Sequence, residues 1–80
     1  NNYPNPFNTT TTFEYSIAKA GNVNITIYNL LGEKVQNLVN KYQDAGTYKV
    51  DFDGSNLNNG TYFYKFETSD FVKTRTMVIN

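Results

Sequence analysis

Eighty residues, with seven basic and seven acidic side chains that cancel and with neither histidine nor cysteine, leave room for one small domain with a modest core and no disulfides. The missing basic excess argues against nucleic acid as a partner. The missing His and Cys rule out a Ser-His-Asp or Cys-His nucleophile.

The opening "NNYPNPFN", Asn1 to Asn8, is extended, because each proline removes a donor and pushes the residue before it out of helical geometry. No Met leads it, so residues 1–11 are expected to be a lead-in from a larger preceding protein, with the domain proper over 12–80. No apolar stretch approaches the roughly 20 residues that cross a bilayer, and no charged-then-apolar signal leads the chain. The domain is expected to be soluble and not membrane-spanning, with any export signal elsewhere.

From Thr12 to Ile17 apolar residues fall at Phe13, Tyr15 and Ile17, the period of a half-buried strand. "KAGN", Lys19 to Asn22, is a glycine turn, and Val23, Ile25 and Ile27 repeat the alternation up to Tyr28, so the two segments are expected to pair as a hairpin. Gly32 then turns the chain into a segment where Val35, Leu38 and Val39 fit helix spacing as well as a short irregular strand; its neighbours favour the strand. Tyr48, Val50 and Phe52 mark one face of a fourth strand. The loop "DGSNLNNG", Asp53 to Gly60, holds Leu57, expected to plug an end of the core.

"TYFYKFE", Thr61 to Glu67, sends Tyr62, Tyr64 and Phe66 one way and Phe63 the other, as a central strand does. Ser69-Asp70 turns it into a last strand, "FVKTRTMVIN", Phe71 to Asn80. Six to seven short strands with regular turns and no helix give an all-β fold, a small antiparallel β-sandwich of the immunoglobulin-like kind. No Cys-Trp-Cys pattern is present, so it is not an antibody domain.

Catalytic chemistry is hard to assemble from scattered carboxylates on so small a sandwich, and the chain is read as not an enzyme. In "DFDGSN" the oxygens of Asp51 and Asp53 have the character of calcium ligands. The glycine position and distal Glu of a calcium loop are missing, so these residues read as turn formers and neither metal nor cofactor is expected. Tyr3, Phe7, Tyr28, Tyr42, Phe63 and Phe71 are left over once the alternating aromatics go to the core. They keep open a carbohydrate-binding reading, in which rings stack on sugar faces. Lys65, Lys73 and Arg75 form a basic patch or a solvated strand face if the last two strands pair.

Read in order, Pro4-Asn5-Pro6, the Leu31-Gly32-Glu33-Lys34-Val35 turn, Gly46-Thr47-Tyr48, Gly60-Thr61-Tyr62 and the late basic residues before an apolar finish resemble the C-terminal sorting domain of type IX secretion cargo, type A family. Such domains are similar to immunoglobulin-like sandwiches and end large exported proteins of Bacteroidetes-type bacteria. The chain departs from the family's usual pattern at Thr9 and Ala18, where many members carry proline, and at Asn80, where tails commonly close with a basic residue. The resemblance implies a non-catalytic signal that directs a preceding cargo, via the periplasm, to the cell surface or medium. It implies recognition by the outer-membrane type IX translocon and processing by a sortase-like peptidase, which in many members joins the cargo to surface lipopolysaccharide. The family's recognition signal maps onto Gly60, Tyr62, Lys73, Arg75, Met77, Val78 and Ile79. The immunoglobulin-like tail of flagellar hook-capping proteins is similar in shape, and a carbohydrate-binding or structural accessory module of a secreted enzyme is the alternative function.

Overall fold

In a computed structural model, described for residues 10–55 and 57–79, the alternating segments form six strands: β1 (Thr10–Ile17), β2 (Gly21–Tyr28), β3 (Lys34–Gln43), β4 (Gly46–Asp53), β5 (Gly60–Glu67) and β6 (Val72–Ile79). Strand β1 starts at Thr10, ahead of the Thr12 at which alternation becomes legible; the rest of the expected lead-in, with Tyr3 and Phe7, lies outside the described residues. All pairings are antiparallel, in a two-stranded sheet β1-β4 and a four-stranded sheet β3-β2-β5-β6. The fold is a small β-sandwich, as the alternation predicts.

The core is the inward half of that alternation. Tyr15, Ile17, Val23, Ile25 and Val39 form one buried cluster, and Ile27, Phe52, Tyr62 and Ile79 form another. Leu38 touches both, and Leu57 plugs the second as expected. Outward positions carry polar cross-strand pairs, among them Thr12 Oγ1 donating to Asp51 Oδ1 at 2.7 Å and Ser16 with Thr47 at 2.9 Å.

The expected hairpin of β1 with β2 does not form. Strand β1 pairs with β4, while β2 pairs with β3 and β5, so "KAGN" carries the chain across the core from one sheet to the other. Ile17 and Val23 still bury each other's neighbourhood in one cluster, face to face instead of side by side. Alternation states which face of a strand is buried and leaves the partner open.

Strand β3 is the longest strand at ten residues, not a short one, and its irregularity has a defined form. The register against β2 shifts between Ile25 and Thr26 and again between Ile27 and Tyr28, leaving Leu38 and Val35 as the unpaired extra residues. Each such bulge advances the side-chain phase by one. Val35, Leu38 and Val39 therefore all reach the core, which is why their spacing mimics a helix. Asn37 pins the first bulge, its Nδ2 donating to Asn24 Oδ1 at 2.7 Å and to Thr26 Oγ1 at 3.0 Å.

Two local devices start strands. In Gly46-Thr47-Tyr48 and again in Gly60-Thr61-Tyr62 the glycine takes a positive φ, +153° and +148°, conformations open to glycine and costly for other residues. The Tyr48 hydroxyl donates to the Asp44 carbonyl, and the Tyr62 hydroxyl donates to the Asn58 carbonyl at 2.8 Å. The second is the tyrosine corner of immunoglobulin-like sandwiches, a Tyr near the start of the strand that β5 represents, bonded to backbone a few residues upstream.

Candidate functional site

Along one side of the sandwich, between β1 of one sheet and the β5–β6 hairpin of the other, the two sheets leave an open seam. In that open seam lies a groove of about 270 Å³ between Phe13 and Tyr15 of β1, Tyr64 and Phe66 of β5, and Lys73 and Arg75 of β6. The register explains the company. Lys73 pairs with Phe66, Arg75 with Tyr64 and Met77 with Tyr62, and directly paired residues point to the same face. The two cations thus project from the core-facing side of β6, beyond the reach of the two-stranded sheet, and both are exposed.

The aromatic floor is closely packed. Phe13 sits 4.9 Å from Tyr64 and Tyr15 sits 5.3 Å from Phe66, centroid to centroid, and Phe71 meets Phe66 edge-on at 5.4 Å, all within the range of favourable aromatic pairs. The Lys73 ammonium lies 5.3 Å from the Phe71 ring centre, a cation–π contact. Phe71, left unexplained by the sequence pattern, is thus the residue that holds Lys73 over the groove. Its place just after the Ser69-Asp70 turn and two residues before Lys73 was the available signal.

Tyr15 also anchors the buried end of this wall. Its hydroxyl donates to Gln43 Oε1 at 2.7 Å, with both residues buried. Burial pushes the phenol above its ordinary value of 10.0; the bond to Gln43 opposes the shift, and the neighbouring Tyr48 adds to it. The folded state therefore favours the neutral phenol, a contribution present below about pH 10 and lost as pH rises through the folded-state value. Tyr15→Phe is expected to cost about 1–3 kcal/mol at neutral pH by orphaning Gln43 Oε1, and to lose less stability than the parent above pH 10. Thermal melts from pH 7 to 11 check this; parallel curves for the two proteins would refute the alkaline part.

The residues expected to carry recognition fall into different environments. Tyr62 and Ile79 are in the core and Met77 is half-buried against it. Gly60 opens β5, and Val78, 62% exposed, faces outward on the opposite side of the sheet from Lys73 and Arg75. Of the two readings of Lys65, Lys73 and Arg75, the solvated strand face holds for Lys65: it pairs with Thr74 on the outer face and lies 4.0 Å from Glu67. The alternation of β5 separates them.

Asp51 accepts from Thr12, and Asp53 accepts from the Ser55 backbone N–H at 2.9 Å. The Ser55 backbone and hydroxyl hold the Asp53 carboxyl below its ordinary value of 3.8. Among the described residues no three carboxylate, His or Cys side chains converge on one point. Among the described residues, the leftover rings do not form one platform either. Tyr28 and Phe63 are paired on the outer face, Tyr42 pairs with Asn22 near the far end of β3, and Phe71 is in the groove.

Over residues 1–80 the chain matches the secretion system C-terminal sorting domain family. The chain belongs to this family. No curated protein and no solved structure matches it significantly. The sorting domain is the C-terminal signal of type IX secretion, which sends a cargo protein to the cell surface or the medium. The family is one of signals, not of catalysts, and it implies a preceding cargo and the type IX machinery. Among the described residues of the sorting domain, no helix is long and apolar enough to cross a membrane.

Proposed function

We propose that the sorting domain is read in folded form by the outer-membrane type IX translocon through the β5–β6 hairpin, and that a sortase-like peptidase then acts on the joint with the cargo. In this reading the domain itself catalyses nothing. Residues 1–11 lead in from the cargo, with Thr10 and Thr11 already paired in β1, and 12–80 form the signal. Gly60, Tyr62, Met77 and Ile79 set the shape of the hairpin, while Lys73, Arg75 and Val78 are its accessible side chains.

The observation that carries the reading is the pair of exposed cations on one face of β6, held above an aromatic floor and without a carboxylate partner within 4.0 Å among the described residues. Stability does not call for them there, because exposed charges contribute about 1 kcal/mol at most. A fluorescent cargo with a periplasmic signal, fused ahead of Asn1, is expected to reach the surface or medium only in a host with a working type IX translocon. Folded cargo retained in the periplasm of both hosts would overturn the proposal.

A further inference from the structure

Immunoglobulin sandwiches carry additional strands in the sheet that here has two. Among the described residues that sheet is β1 and β4 alone, and nothing pairs with the other edge of β1. That edge presents a row of unpaired backbone N–H and C=O groups, and so does the outer edge of β6, whose partner is β5. The groove lies between these two edges. Consecutive residues of β1, Glu14 and Ser16 as well as Phe13 and Tyr15, line it. It therefore follows the β1 backbone and not one side-chain face.

We propose that this groove receives an extended segment of a partner protein, added as a strand along the free edge of β1, with apolar side chains over Tyr64 and Phe66 and a carboxylate meeting Lys73 and Arg75. Strand addition of this kind takes affinity from main-chain hydrogen bonds and specificity from alternate side chains. The inference rests on the sorting reading above and names the chemistry of the partner that the Lys73–Arg75 surface takes.

Charge and backbone chemistry select this occupant over others. The lead-in Asn1 to Thr9 has no carboxylate side chain, and its two prolines lack donors. A second copy offering β6 would bring Lys73 and Arg75 against the same cations. A sugar stacks on rings but leaves two strand edges unpaired. The aromatic floor is already assembled, so little ordering is required of the domain when a strand arrives.

The test uses the full 80-residue chain, isotope-labelled, titrated with a short capped peptide of the repeat valine–threonine–glutamate–threonine, which puts valine and glutamate on one face of a strand, with its counterpart carrying lysine for glutamate, and with phosphatidylglycerol vesicles. The glutamate peptide is expected to move the backbone amides of β1 and β6 and to bind at least about tenfold more tightly than the lysine peptide, a difference of about 1.4 kcal/mol. Lys73→Glu with Arg75→Glu is expected to reverse that preference, and Lys73→Gln with Arg75→Gln to reduce it, each with the parent's melting temperature. Equal binding of the two peptides, or shifts confined to other strands, overturns the proposal. So does vesicle binding that leaves the β1 amides unmoved, which would assign the cations to an anionic surface. Edge amides of β1 protected from exchange in the free chain would assign the groove to the chain's own lead-in and likewise overturn it. Export of the fused cargo by a domain that binds no peptide removes strand addition and leaves the sorting reading standing; peptide binding by a domain that exports nothing does the reverse.

Discussion

Phe52→Ala is expected to destabilise the domain by about 3–5 kcal/mol, the range for removing a buried aromatic ring. Phe52 is fully buried, 0% exposed, among Ile27, Tyr62 and Ile79, with the Phe13 ring 6.3 Å away. Gly54 lies directly against it: a Cβ there would sit 3.2 Å from the Phe52 ring and 3.3 Å from Ile79. The chain has closed around the ring to the point of leaving no room for a side chain at Gly54, so little is free to collapse into the space an alanine would leave. A domain of this size has only about 4–12 kcal/mol in total, so the variant should be largely unfolded at elevated temperature. A melting temperature within about 4 °C of the parent, the shift expected from roughly 1 kcal/mol in a domain this small, would refute the assignment of Phe52 as the centre of the core. With the signal read in folded form, as proposed, export is expected to fall with stability.

Lys73→Glu with Arg75→Glu is expected to separate those two properties. Both side chains project into an open groove and are exposed, so their reversal should change stability by about 1 kcal/mol or less. Export should fall about tenfold or more, the consequence of losing about 1.4 kcal/mol of attraction at the recognition step. The measurement is the ratio of exported to periplasmic fluorescent cargo beside a thermal melt of the purified chain. A drop in export matched by an equal loss of folding would make the two cations structural; full export with an unchanged melt would remove them from recognition.

These two substitutions bracket what the molecule asks of its residues. Phe52 is fully buried in the second core cluster with side chains of β2, β5 and β6, and its contribution is packing. Lys73 and Arg75 lie on the same inward face of β6 as Ile79, yet they are exposed because the two-stranded sheet stops short of them. One strand thus changes from core to surface along a single face. The family's Gly-Thr-Tyr marks work at a different level. The positive-φ glycine and the hydroxyl-to-carbonyl bond at Tyr62 set where β5 begins, and so set the register that brings Arg75 opposite Tyr64.

Legibility followed the same division. Strands β4, β5 and β6, most of β1, the Ser69-Asp70 turn and the plug at Leu57 were readable, because period-two alternation and turn residues are local properties. At Gly32, too, the expected turn forms: φ is +84°, and the Asn29 side chain accepts from the Leu31 and Glu33 backbones. The form of β3 was not readable, because its bulges at Val35 and Leu38 erase the period that announces a strand. The β1–β2 hairpin was misread, since neighbours in sequence with matching alternation pack equally well across a core as along a sheet edge.

By itself the sequence determined the all-β class, the inward residues of most strands, the lack of a nucleophilic triad and, through the order of its marks, the family. Each of these rests on residue identity and short-range spacing. The tertiary structure alone decided that β1 joins β4, that the seam between β1 and β6 stays open, and that Lys73 and Arg75 stand together in it while Lys65 and Val78 face away. Those outcomes depend on which strands pair and in what register, and pairing is settled by closing the two core clusters at once, a condition that no single stretch of the chain contains.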